Sequence, residues 1–227
     1  MIPVPGAALL FDIDGTLADT DPIHLEAFNR VFAPYGRSFD RASFSRDLHG
    51  LANVDIAARF VPHLSPEEGM VVLDGKEAMF RELARTQIHA VPGLLSLLDL
   101  ADAAGVPMAA VTNAPRDNAD LILDGLGIRH RFKAIVIGAE LPHGKPHPLP
   151  YLEGLRLLGA RAEHSIAFED SRTGIASARA AGLATVGIRT SLVHEDLAAA
   201  GASLSVAAYD EPELLAFIAA RVEANAA

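Results

Sequence analysis

Phe11-Asp12-Ile13-Asp14-Gly15-Thr16-Leu17-Ala18-Asp19-Thr20 decides how this chain is read, because it follows directly on the apolar run Ala7-Ala8-Leu9-Leu10. That run has the length and character of a short buried strand. Asp12 and Asp14 stand two residues apart at its end, and Gly15 opens the chain into a turn. Open α/β sheets bind ligands at the carboxyl ends of their strands, so the pair is expected at such an edge. Two carboxylates placed there can divide nucleophilic and acid–base work between them. Asp and Gly also close strands for backbone reasons alone, so the pair taken singly is equally readable as an ordinary turn.

Outward from this point the chain alternates. Val91-Pro92-Gly93 opens a helix expected over Leu94 to Ala104, followed by a strand over Val106 to Val111. A helix over Arg116 to Leu126, a strand over Ala134 to Ile137 and a helix over Leu149 to Leu158 come next. The pattern continues with a strand (Ser165 to Phe168), a helix (Gly174 to Ala181, closed by Gly182), a strand (Ala184 to Ile188) and a last helix (Glu211 to Val222). Strands joined by helices imply an α/β fold, a Rossmann-like doubly wound parallel sheet. Residues 21–89 interrupt the rhythm with apolar residues at helical spacing: Ile23, Phe28, Val31 and Phe32, then Val71, Val72, Met79, Phe80 and Leu83. This segment reads as an inserted α-helical cap domain, leaving residues 1–20 and 90–227 as the core domain.

With 227 residues, half of them hydrophobic, the chain can bury a sizeable core. Its net charge of −10 offers no basic footprint, so neither nucleic acid nor an anionic membrane is an expected partner. The absence of cysteine excludes disulfides, thiolate metal sites and thiol catalysis. The amino terminus lacks the basic region and the long apolar run of a signal or transmembrane segment, and the expected location is the cytoplasm.

Three further motifs sit at strand ends. Thr112-Asn113, before a helix opened by Pro115, offers a hydroxyl and free amides as an anion cradle; it is also an ordinary helix cap. Lys145, within Gly144-Lys145-Pro146-His147-Pro148, could pair with phosphate oxygens and with a nucleophilic carboxylate, or stand solvated in a proline-rich loop. Phe168-Glu169-Asp170-Ser171 could complete an oxygen shell for a divalent cation, or cap a helix. Four such motifs at successive strand ends of one sheet point together to phosphoryl transfer. A phosphate monoester and a carboxylate nucleophile repel each other, so a lysine and a hard cation such as Mg²⁺ are what the reaction needs.

These motifs resemble those of the haloacid dehalogenase superfamily over nearly the whole chain. The resemblance implies that Asp12 is the nucleophile and a Mg²⁺ ligand. It makes Asp14 the acid/base, offering its main-chain carbonyl to the metal. Thr112, Asn113 and Lys145 then hold phosphate, and Asp170 completes the metal site with Glu169 as ligand or neighbour. The helical insertion resembles the cap of the β-phosphoglucomutase-like subfamily, in which a histidine of the first cap helix guides proton transfer; His24 stands at that spacing. In Gly50-Leu51-Ala52-Asn53-Val54-Asp55 the chain departs from the phosphomutases, placing Asn53 where they carry an arginine for a second phosphate. Asp74-Gly75-Lys76-Glu77-Ala78-Met79-Phe80-Arg81, Ala110 to Arg116, and Lys145 to Pro148 with Tyr151 are most similar to broad-range sugar-phosphate phosphatases.

The implied activity is hydrolysis of small phosphate monoesters, of sugars or polyols, through an aspartyl phosphate. The nearest alternative is a phosphomutase. A haloacid dehalogenase would share Asp12 but not Asp14 or the metal. A phospho-receiver module, which uses a similar Asp, Thr and Lys set, is much shorter and lacks the insertion.

Overall fold

The computed structural model describes residues 3–222. Strand β1 (Ala8–Phe11) leads into four helices, α1 (Asp21–Phe32), α2 (Arg41–Asp47), α3 (Asn53–Phe60) and α4 (Pro66–Ala84). Helix and strand then alternate through α5 (Leu94–Ala104), β2 (Met108–Thr112), α6 (Arg116–Gly125), β3 (Ala134–Ile137) and α7 (Leu149–Leu158). β4 (Ser165–Glu169), α8 (Arg172–Ala180), β5 (Ala184–Ile188), α9 (His194–Ala200), β6 (Leu204–Val206) and α10 (Pro212–Val222) complete the order. The six strands form one parallel sheet, β3-β2-β1-β4-β5-β6. The chain winds from β1 outward to β3, then crosses back to β4 on the other side of β1, so β1 flanks the switch point where such sheets bind ligands.

Side-chain alternation divides the strands between two faces. Leu9, Phe11, Met108, Ala110, Ile166 and Phe168 share a cluster with Leu98 of α5, Ile122 of α6 and Ile218 of α10. Ala8, Leu10, Ala109, Val111 and Ala167 pack instead with Tyr151 and Leu155 of α7 and Ala178 of α8. Helices on both faces explain why β1 and β2 are buried at every position. Phe11 stacks on Phe168 across the β1–β4 pair, with ring centroids 4.5 Å apart, fixing the register that sets their ends level.

The helices of residues 21–89 hold their own apolar cluster, centred on Phe28, Phe32, Phe39, Phe44, Ile56 and Leu73. Ala18 bridges to Ala90, which brings the chain entering this segment beside the chain leaving it. Helix α4 is started by a capping box between Ser65 and Glu68. Its inner face differs from the apolar periodicity: Val71 is 69% exposed, whereas Lys76 and Glu77 are buried with Val72, Leu73 and Phe80.

Other departures have local causes. The second strand begins at Met108 rather than Val106, because Val106 donates its N–H to Ala101 in closing α5 and Pro107 has no N–H to give. Helix α9 and the three-residue edge strand β6 carry no clear pattern in the sequence. Only Leu197 of α9 is buried, and it packs with Ile175 and Leu192.

Candidate active site

All four motifs meet at the carboxyl ends of β3, β2, β1 and β4, which lie side by side. Asp12 continues β1, donating its N–H to the Phe168 carbonyl at 3.0 Å. Gly15 then turns the chain at a φ of 74°, and a β-carbon there would lie 1.8 Å from Asp170 Oδ2. Only glycine lets the first and fourth motifs come this close.

Lys145 is the hub of the buried charge. Its Nζ donates to Asp12 Oδ1 at 2.6 Å, to Glu169 Oε1 at 2.6 Å and to the Val111 carbonyl at 2.7 Å. Three donors meet three acceptors, so the ammonium is fully bonded and fixed. Glu169 also accepts from the Tyr151 hydroxyl at 2.7 Å and from Ser171 Oγ at 3.0 Å. It is therefore a brace that orients Lys145. Gly174 is required beside it, since a β-carbon there would fall 1.9 Å from the carboxylate. Asn113 has a comparable duty: its side chain accepts from the Lys145 N–H at 2.9 Å and donates to the Lys145 carbonyl at 3.0 Å. The Asn113 side chain thus holds the lysine loop. Thr112 Oγ1 accepts from the Ala114 N–H at 3.0 Å, which leaves its own O–H as a donor.

Asp14 is organised by helix α1. Its Oδ1 accepts from Thr20 Oγ1 and pairs with His24 Nε2, each at 2.9 Å. Thr20 precedes α1, yet its hydroxyl serves Asp14 rather than the helix end. On the far side of the imidazole, Lys76 Nζ lies 3.0 Å from His24 Nδ1. An ammonium only donates, so Nδ1 accepts and Nε2 carries the proton toward Asp14. Phe80 stacks on the ring at 3.9 Å between centroids and holds its plane. Burial pushes the Asp14 carboxyl up, but the His24 and Thr20 bonds outweigh it and leave the pKa below the ordinary value. Oδ2 of Asp14 is buried and has no hydrogen-bond partner among the described residues.

The remaining carboxylates crowd together. Oxygens of Asp12, Glu169 and Asp170 all lie within 4.8 Å of one another. Burial, with repulsion from Glu169 and Asp170, holds Asp12 well above the usual carboxylate range despite Lys145. Asp170 is likewise raised by burial, against the pull of His49. A cluster of hard oxygens with more negative charge than one lysine offsets suits a small divalent cation. Asp12 and Asp170 are the ligands it could use, because Glu169 is committed to Lys145 and Tyr151.

Asp12, Asp14, Thr112, Asn113, Lys145 and Asp170 line a cleft of about 120 Å³ between the strand ends and the helices of residues 21–89. His24 and Asn53 both line it, and Asn53 donates to Glu77 Oε1 at 2.8 Å. His49, Lys76, Glu77 and Asn118 line it too, without having been singled out as site residues. His49 Nε2 reaches Asp170 Oδ2 at 3.0 Å across 121 residues of sequence, and Asn118 Nδ2 reaches Glu77 Oε2 at 2.6 Å. A lysine and a glutamate within an apolar helical pattern were the one available signal, since charged residues there belong on the solvent face unless they are paired.

The comparisons show what class of protein carries this arrangement. The haloacid dehalogenase-like hydrolase family matches residues 9–188. The protein CbbY of Rhodobacter capsulatus is 34% identical over 189 residues, covering 79% of this chain and 83% of that protein. The fructose-1-phosphate phosphatase YqaB of Escherichia coli is 31% identical over 192 residues, 81% of this chain and 96% of its own. A crystal structure of a CbbY mutant from Rhodobacter sphaeroides, in complex with xylulose-(1,5)-bisphosphate, is 29% identical with a TM-score of 0.78, covering 93% of this chain and 96% of that one. The chain belongs to the haloacid dehalogenase-like hydrolase family. No helix among the described residues is long and apolar enough to cross a membrane.

Proposed function

We propose that the chain is a phosphatase that hydrolyses small sugar or polyol phosphates, with Asp12 as the nucleophile and residues 21–89 acting as the cap over a core formed by 1–20 and 90–227. The phosphorylated sugars in the names of the YqaB and CbbY relatives support this substrate class. The observation that carries the reading is the opposition of two differently prepared carboxylates in one cleft, Asp12 against Lys145 and Asp14 against His24.

Lys145 fixes Asp12 in one orientation and offers positive charge where the phosphoryl oxygens gather. An oxygen of Asp12 attacks phosphorus as the ester oxygen leaves, forming an acyl phosphate on Asp12. The departing alkoxide takes a proton from Asp14 Oδ2, the oxygen with no protein partner. Resting Asp14 is ionised; the arriving dianionic phosphoryl group raises its pKa so that it takes up a proton from solvent water on substrate binding. Asp14 then takes a proton from the water that attacks the phosphorus, releasing inorganic phosphate and restoring Asp12, and it returns that proton to solvent after phosphate leaves. Asp12, Asp170 and the Asp14 main-chain carbonyl are the groups that would hold Mg²⁺, which when bound supplies charge that neutralises phosphate and carboxylate together. The cap offers no guanidinium at Asn53, which favours hydrolysis over a mutase that must keep a second phosphate.

A panel of phosphorylated metabolites with Mg²⁺, read for both free phosphate and isomerised sugar phosphate, tests the reading. Phosphate release from several sugar or polyol phosphates, lost on chelation, is expected. Conversion of a hexose 1-phosphate to its 6-phosphate that outpaces phosphate release would replace it with the mutase.

A further inference from the structure

Glu77 is an unusual residue to bury at the cap end of a phosphate site. It is 5% exposed, lines the cleft, and receives hydrogen bonds from Asn53 and Lys76 on Oε1, at 2.8 and 3.1 Å, and from Asn118 on Oε2 at 2.6 Å. Asn118 belongs to α6 of the core and is itself held by Arg81, whose guanidinium donates to its Oδ1 at 3.0 Å. The carboxylate is thus fixed from α3, α4 and α6 at once. Burial pushes its pKa up, but Lys76, His24 and Asn53 outweigh that and keep it below the ordinary value, so it is charged at neutral pH.

Its effect is to spend the one lysine of the cap wall, whose other cationic side chain, His49, is paired with Asp170. The described residues lining the cleft include five carboxylates, two lysines and no arginine. Lys145 is bonded to Asp12, Glu169 and Val111. Lys76 is bonded to His24 and to Glu77. We propose that Glu77 is a specificity-determining residue: it neutralises Lys76 toward anions and presents a fixed acceptor to hydroxyl groups, so that the cleft selects sugar or polyol monophosphates and rejects bisphosphates. A hydroxyl of the sugar body can donate to Glu77, whereas a second phosphate brought to the same wall meets the like charge of a buried, fixed carboxylate. Discrimination here is a repulsion built against the wrong substrate as much as an attraction to the right one. This inference rests on the phosphatase reading above.

The test is a matched pair sharing the reacting phosphate, fructose 1-phosphate and fructose 1,6-bisphosphate, with free phosphate measured for each. In the unmodified protein kcat/KM for the monophosphate should exceed that for the bisphosphate by roughly tenfold or more, carried mainly by KM. Glu77→Gln should shrink that ratio by about tenfold, with the bisphosphate KM falling, while Glu77→Asp, which keeps the charge, should preserve most of it. An unmodified protein that uses both substrates equally well overturns the proposal, even if Glu77→Gln does not fold. So does a folded Glu77→Gln with an unchanged ratio. Phosphate release from neither compound, nor from any other sugar phosphate, would instead bring down the phosphatase reading itself.

Discussion

The two walls of the cleft hold their charges in opposite ways. On the strand-end wall a single ammonium, Lys145, is shared by two carboxylates, and a third, Asp170, stands within reach of both. That wall is left short of positive charge. On the helical wall Lys76 and Glu77 are matched one to one, and Asn53 and Asn118 also donate to Glu77, leaving Oε2 able to accept once more. That wall is electrically finished. The lesson is that reactivity comes from a site left unbalanced, while discrimination comes from a site already balanced, and the substrate body is read by the second.

The largest expected effect of breaking this contrast lies at Asp12. Asp12→Asn should fold and lose hydrolysis almost entirely, because an amide is a far weaker nucleophile and a poorer ligand for a hard cation. Circular dichroism beside a phosphate-release assay checks both halves, and near-normal turnover in a folded variant would remove Asp12 from the chemistry. Asp14→Ala comes next, costing on the order of 10²–10⁴ in turnover with ordinary sugar phosphates. The loss in the first half-reaction should shrink for p-nitrophenyl phosphate, whose leaving group departs without a proton. An equal penalty for good and poor leaving groups would show that Asp14 is not the general acid.

On the balanced wall the effects are smaller. Asn53→Arg adds a guanidinium beside Glu77 and should lower the KM for fructose 1,6-bisphosphate by about threefold to tenfold, at some cost in monophosphate turnover. An unchanged bisphosphate KM would mean that this position does not face a second phosphate. The smallest effect is a pH dependence of stability. Burial lowers the pKa of His49, but Asp170 and Asp21 outweigh it and raise the imidazole to about 9, above the ordinary 6.5. Because the folded-state pKa is the higher one, its stabilisation is full below pH about 6.5 and is lost as the pH rises through about 9. In EDTA, urea unfolding should show a decline across that window of at most about 3 kcal/mol, and His49→Gln should flatten it. The same slope in the variant would assign the titration elsewhere.

The strand-end wall was readable in the sequence and the helical wall largely was not. Asp12, Asp14, Glu169 and Asp170 stand at the ends of apolar runs and Lys145 in the loop after β3, and a parallel sheet brings its carboxyl strand ends to one edge, so order along the chain becomes proximity in space. No such rule brings His49 to Asp170 or Glu77 to Asn118; those pairs depend on how helices pack over the sheet. Lys76 and Glu77 were hidden for a second reason. Helical periodicity sends charged residues outward, and only their mutual pairing with His24, Asn53 and Asn118 permits the inward face they occupy. The distal strand β6 and helix α9 escaped because three residues at a sheet edge and a single buried leucine carry too little pattern. The two bonds of the Asn113 side chain to Lys145 were not legible, since a side-chain amide before a helix suits either an anion or a neighbouring backbone.

Covalent capture at Asp12 tests the central claim most directly. In a single turnover with a ³²P-labelled sugar monophosphate and Mg²⁺, acid quenching at short times should leave label on the precipitated protein. The label should be released by hydroxylamine, as an acyl phosphate requires, should map to Asp12, and should be absent from Asp12→Asn. Rapid release of phosphate with no label on the protein at any time, undiminished in Asp12→Asn, would contradict the account.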